Sequence, residues 1–229
     1  MNNAREIVPR LPLISLLAAN VVPLLGVMFL NWDAFNIVLL YWAENLAVGF
    51  YNVLKMALVK VKEPKEHLGK LFLIPFFMVH FGGFTGTHGI FVLMMFGKSN
   101  GDFMNRTTWP CFFAFLQILI NVVREALSIM TPEMKFAVLA LFASHGISFV
   151  YNYLVKGEYA TTNLGKLMAA PYGRVVVMHI AIIAGGFLLV ALKSPIALLL
   201  VLVVLKTFLD IKLHLYEHRK KAPTQPNAA

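Results

Sequence analysis

Six of the seven histidines of this chain fall in or at the end of an apolar segment, in company with carboxylates, amides and a lysine. One such segment carries Tyr41-Trp42-Ala43-Glu44-Asn45, and the next carries His80, Thr87 and His88. A third carries Ser144, His145 and Ser148, and a fourth holds His179. The last carries Lys206, Asp210, His214, Glu217 and His218. Neutral imidazoles and carboxylates on facing helices form the usual ligand set for zinc, iron or copper in a bundle core. At the centre of a bilayer a charged side chain costs at least ~2.5–3.5 kcal/mol. The retained groups must therefore satisfy one another or an ion. Hydrogen bonding between helices accounts for an isolated Asn52 or Ser148. A bound ion compensates several imidazoles and a carboxylate together.

Depth sorts these residues into two layers. Glu44, His80, His145 and Lys206 lie about 15–18 Å from a membrane face, near the midplane, at 1.5 Å rise per residue. His179, Asp210 and His214 form an inner layer, with His218 beyond. Lys206, Asp210 and His214 recur every fourth residue and make one stripe, which must face inward. Gly82, Gly86 and Gly89 form a small-residue face for close helix packing. His80, Phe84, Thr87, His88 and Phe91 lie roughly opposite them. This spacing nominates His80, His145, His179, Asp210 and His214 as metal ligands, with His179, Asp210 and His214 closest to one ion. Glu44 is the candidate base, paired across the bundle with Lys206, which would tune it or stabilise anionic charge. Tyr41, Asn45, Thr87 and Ser144 are candidate supporting donors or acceptors. His88 and His218 are peripheral, and His67 reads as surface.

The elements that position these groups follow from composition. Of 229 residues, 59% are hydrophobic and 14% charged, with a mean hydropathy of +0.73. Average soluble chains have roughly 45–50% and about 25%. That balance excludes a soluble enzyme, a disordered chain and a disulfide scaffold. The lone Cys111 excludes a cysteine-based metal site. The net charge of +9 reads as basic loops at a membrane surface rather than nucleic-acid binding.

Apolar runs at 11–30, 34–59, 68–96, 133–154, 172–193 and 195–216 predict an all-α transmembrane bundle. The N-terminal run lacks a cleavage site and reads as a span rather than a removable signal. Residues 109–123 are apolar but short, ending at Arg124-Glu125. If they cross, Lys and Arg divide ten inside to nine outside. If they lie flat or re-enter, the division is fourteen to five, with Lys206 in the membrane. The positive-inside rule selects the second arrangement: six spans with both termini cytoplasmic in an inner membrane. A single transmembrane domain over 1–218 precedes a basic, disordered cytoplasmic tail at 219–229.

The motif set resembles an uncharacterised prokaryotic family of polytopic membrane proteins, a domain of unknown function. That family shows a YWxEN motif, an H-aromatic-G-x-F-x-x-x-HG motif, an SHxxSF motif and a last helix bearing Lys, Asp and His. Here these are Tyr41 to Asn45, His80 to Gly89, Ser144 to Phe149, and Lys206, Asp210 and His214. The resemblance spans roughly 35–218 and implies six or seven membrane helices with no established activity. A weaker likeness is to intramembrane zinc amidohydrolases of the ceramidase and adiponectin-receptor type. His214 and His218 match their HxxxH, but Ser144 adjoins His145 where those proteins space the serine away.

Three functions compete. The first is a metal-dependent intramembrane hydrolase or oxidase acting on a lipid or other apolar substrate. The second is a proton or metal-ion transporter using the charged and histidine residues as a relay. The third is a b-type haem protein with His80, His145 and His179 as axial ligands.

Overall fold

The first described helix starts where Asp33 caps it. The Asp33 carboxylate accepts a hydrogen bond from Phe35 N at 2.9 Å and lies 3.6 Å from Lys98 Nζ. In this computed structural model the described residues are 29, 33–61, 63–96, 98–106, 108–110, 113–180, 183, 200, 201, 203–205, 207 and 208. The expected span at 11–30, most of those at 172–193 and 195–216, and the tail fall outside them apart from the residues just given. So do Cys111, Lys206, Asp210, His214, Glu217 and His218.

Helix α1 runs over Ala34–Leu58 and α2 over Pro64–Met95. Lys70, near the start of α2, closes the end of α1 by donating to Ala57 O at 2.8 Å and Val59 O at 2.7 Å. The two helices are antiparallel, with Gly89 against Trp42 and Gly49 against Phe81. Within lipid, helix association depends on close packing rather than on removing apolar surface from water. Gly89 supplies that closeness, since a Cβ there would sit 2.5 Å from Val122 and 2.7 Å from the Trp42 ring. The Trp42 indole N–H then donates to Thr85 O at 2.7 Å.

A 3₁₀ turn at Asp102–Arg106 leads toward α3, Ala114–Ile129. Gly83 lies under Phe115, Gly86 under Leu119 and Gly89 under Val122, so α3 runs parallel to α2. Gly83 lies about 18 Å along α2 from Met95 at helical rise. The chain therefore returns part-way along α2 before α3 climbs back. At the far end of α3, Glu125 accepts from Ser99 Oγ at 2.9 Å. Gln117 Oε1 holds the descending strand of the loop by accepting from Thr108 N and Trp109 N, both at 2.7 Å. The sequence expectation ended this segment at Arg124-Glu125. The helix continues through both residues, because Arg124 stays on its exposed side while Glu125 turns toward Ser99.

Helix α4, Pro132–Ser148, starts with Thr131 as cap and continues as a π-helix over Phe149–Val155. It runs parallel to α1: Tyr51 meets Gly146, and the Tyr153 hydroxyl donates to Lys55 O at 2.6 Å. Thus α2 ends and α4 begins at the same end of the bundle. Short helices α5 (Glu158–Thr161) and α6 (Leu164–Ala169) follow, and α7 occupies 172–180. Asn52 joins α6 to α1 by donating to Leu167 O at 2.9 Å.

Two buried clusters hold these helices together. One centres on Leu39, Trp42, Val92, Val122 and Met178, and the other on Met56, Phe77, Phe81, Tyr153 and Val175. Outward faces remain apolar, with Leu71, Phe72, Phe136, Leu139 and Ile147 exposed. Three helical segments, Ala34–Leu58, His67–Met95 and Pro132–Val155, are long and apolar enough to cross a bilayer. The described residues are helical and contain no strand, and these apolar helices make the chain a membrane protein.

Candidate functional site

Glu44 faces α4 and α7 from the middle of α1. Its carboxylate lies 2.5 Å from Arg174 Nη2 and 3.7 Å from His145 Nε2. Side-chain exposures are 17% for Glu44, 28% for His145 and 32% for Arg174, so all three are largely withdrawn from the surface. A groove of about 480 Å³ opens beside them between α1 and α4. Leu40, Tyr41, Glu44, Ala137, Ala140, Leu141 and Ser144 line it. Its walls are mainly aliphatic, and Glu44 is the charged side chain in the lining. Alanines at 137 and 140 leave the space that larger residues at these α4 positions would fill.

A second group lies along α2. Phe72, Phe76, His80, Phe84 and His88 stand one turn apart and form a ladder of rings. Phe76 stacks on His80 at 5.1 Å, and Phe84 lies 5.0 Å from His80 and 6.4 Å from His88. Helix α7 meets this ladder at two levels. Tyr172 OH lies 2.7 Å from His80 Nδ1, and His179 Nδ1 lies 3.3 Å from His88 Nε2. His88 is buried and His179 is exposed. The separation of glycine and histidine faces expected from α2 is found: glycines pack on α1 and α3, while His80 and His88 meet α7.

Several sequence assignments change. Glu44 pairs with Arg174 and lies near His145; its expected partner Lys206 lies outside the described residues. The position of Arg174 at the start of an apolar run lets a long side chain reach the bundle interior from near the end of α7. His80, His145 and His179 do not share a site, since each pairs with a different group: Tyr172, Glu44 and His88. Among the described residues no three His, Cys, Asp or Glu groups come together as a metal site. Asp210 and His214 lie outside that set. His88, assigned to the periphery, is instead the buried partner of His179.

The supporting residues are also redistributed. Thr87 Oγ1 donates to Gly83 O at 3.0 Å within its own helix, and Asn45 Nδ2 donates to Tyr41 O at 3.1 Å. Ser144 and Tyr41 line the groove. Sequence reasoning missed Tyr172 and Arg174. The signal was present: Tyr172, Val175 and His179 lie three and four residues apart, which puts them on one helix face.

A family model described as a family of unknown function (DUF6498) matches residues 2–227. No curated protein and no solved structure matches the chain.

Proposed function

Since the chain belongs to the family of unknown function DUF6498, whose description supplies no activity, we propose from the site itself that it is an intramembrane enzyme. Its substrate is a lipid or another apolar molecule. The observation that carries this reading is the mainly aliphatic groove between α1 and α4, with Glu44 in its lining and His145 and Arg174 paired to that carboxylate. An acyl chain or other apolar body fits such walls, and the polar cluster marks the reacting end.

Glu44 serves as the base toward water or a substrate hydroxyl. His145 shares its proton, and Arg174 stabilises the anionic charge that develops. Arg174 shares in the proposal the role that spacing suggests for Lys206. A divalent transition metal (zinc, iron or copper) is part of the proposal, with His179, Asp210 and His214 as its nominated ligands, while His80 and His145 stay with Tyr172 and Glu44. It would polarise the reacting group or lower the pKa of a bound water.

The relay and haem readings draw less support. Phe84 separates His80 from His88, leaving a gap without a proton-carrying group along that face. His80, His145 and His179 each lie against a separate partner, Tyr172, Glu44 and His88, which gives the haem reading no support of its own.

We further propose six spans with 109–123 as an interfacial or re-entrant segment, both termini cytoplasmic, and residence in an inner membrane. The return of α3 and the start of α4 at one end of the bundle support that count. The single domain over 1–218 and the basic tail at 219–229 belong to the same proposal.

The test is turnover. Wild-type protein and Glu44→Gln are reconstituted in vesicles of a native lipid extract, and the lipids are profiled by mass spectrometry over time. Loss of a lipid species with wild type and not with Glu44→Gln supports the enzyme. Identical profiles from the two proteins count against it.

A further inference from the structure

The imidazoles of His88 and His179 come from different helices, yet their nitrogens lie only 3.3 Å apart. Two imidazoles on one tetrahedral zinc have bonds of about 2.0–2.1 Å, which puts their nitrogens about 3.3–3.4 Å apart at the tetrahedral angle. A square or octahedral ion would bring adjacent nitrogens closer, to about 3.0 Å at the same bond length.

Two buried oxygens point the same way. Asn45 Oδ1 and Thr207 Oγ1 have no hydrogen-bond partner among the described residues. Between the contacts of Trp42 with Gly89 and Gly49 with Phe81, Asn45 stands at the height of residues 85–86, less than one turn from His88. Thr207 follows by one turn Val203, which packs in the same cluster as Trp42 and Met178. Orphaned buried oxygens at this level of the bundle are groups that an ion's bound water would satisfy.

We propose that His88 and His179 are two ligands of a tetrahedral divalent-metal site, with zinc as its natural occupant. The inference deepens the enzyme reading and rests on it only for what the ion does. Ligation uses the Nε2 lone pair of His88 and the Nδ1 lone pair of His179. The proton now shared between those nitrogens is displaced to the opposite nitrogen of its ring, which leaves both imidazoles neutral. His88 anchors the ion from the buried side. His179 is exposed, so the remaining positions stay open to water or substrate on that side. His80 and His145 are outside this site, held instead by Tyr172 and Glu44.

The experiment is zinc binding by the full-length protein in mild detergent, with X-ray absorption at the zinc edge. Zinc bound stoichiometrically with at least two imidazoles is the expected result. His88→Gln and His179→Gln should each weaken zinc by more than about 100-fold, beyond the usual loss from an outer partner. His80→Gln and His145→Gln should change it less than tenfold. Absence of stoichiometric zinc, fewer than two imidazoles in the wild-type spectrum, or full retention in both variants overturns the proposal. The wild-type spectrum decides even where a variant fails to fold. Zinc at this pair without lipid turnover would sink the enzyme reading and leave the site standing. Lipid turnover by protein that binds no zinc would do the reverse.

Discussion

Replacing Glu44 by Gln strands the Arg174 guanidinium in the bundle, and replacing Arg174 by Gln strands the carboxylate. The groups lie 2.5 Å apart, with 17% and 32% of their side-chain surfaces exposed. At an effective dielectric of ~20, two unit charges about 4 Å apart attract by about 4 kcal/mol. Desolvation of both ions offsets much of this, and the exposed third of Arg174 is partly screened. Each single substitution should therefore cost about 2–3 kcal/mol, somewhat below the ~3–5 kcal/mol for breaking a fully buried pair. The double substitution removes both charges. It should cost less than the sum of the singles by about 1.5–2 kcal/mol, within the range for residues in contact. Reversible unfolding in mixed micelles, followed by tryptophan fluorescence, measures the cycle. Additivity within ~0.5 kcal/mol would refute the pairing. A larger coupling of Glu44 to Lys206 than to Arg174 would restore the assignment made from spacing alone.

Three further outcomes follow from the packing and the charge pattern. Gly89→Ala should lower stability by about 1–3 kcal/mol in the same unfolding assay, because its Cβ meets Val122 at 2.5 Å and Trp42 at 2.7 Å; Gly157→Ala is the control, as nothing lies within 4 Å of the Cβ built there, although its φ of 74° carries its own smaller strain. Gln117→Ala removes the acceptor for Thr108 N and Trp109 N, and amide exchange at those two positions should quicken while exchange in α1 stays unchanged; the loss is about 1–3 kcal/mol of local protection. Reporters fused after Ala229 and near Glu158 should read cytoplasm and one near Asn100 the outside, and a cytoplasmic signal at Asn100 would overturn the orientation.

The helices were legible wherever apolar length decides them. The runs at 34–59, 68–96 and 133–154 match the described spans to within a few residues. Residues 109–123 were separated from the spans by short length and charge bias, and the helix there is parallel to its neighbour rather than antiparallel. The two faces of α2 followed from period, since glycine contact is local to one helix. Partner choice was less legible. Depth and period give the height and face of Glu44, but several cations share that height, and the reach of an arginine side chain exceeds the precision of such counting. His88 looked peripheral because its distance from His80 was measured along one helix, whereas its partner stands on another. The fit between His88 and His179 depends on the docking of α7, which no single-helix pattern encodes.

The central claim is that an apolar molecule reaches Glu44 through the groove between α1 and α4. Photolabelling with a lipid carrying a diazirine in its acyl chain, followed by peptide mass spectrometry, tests it directly. The account predicts adducts on the groove walls at Leu40, Ala137 and Leu141, lost when Ala140→Trp fills the space while the protein remains folded. Labelling confined to the outward residues Phe136, Leu139 and Ile147, and unchanged by Ala140→Trp, would contradict it.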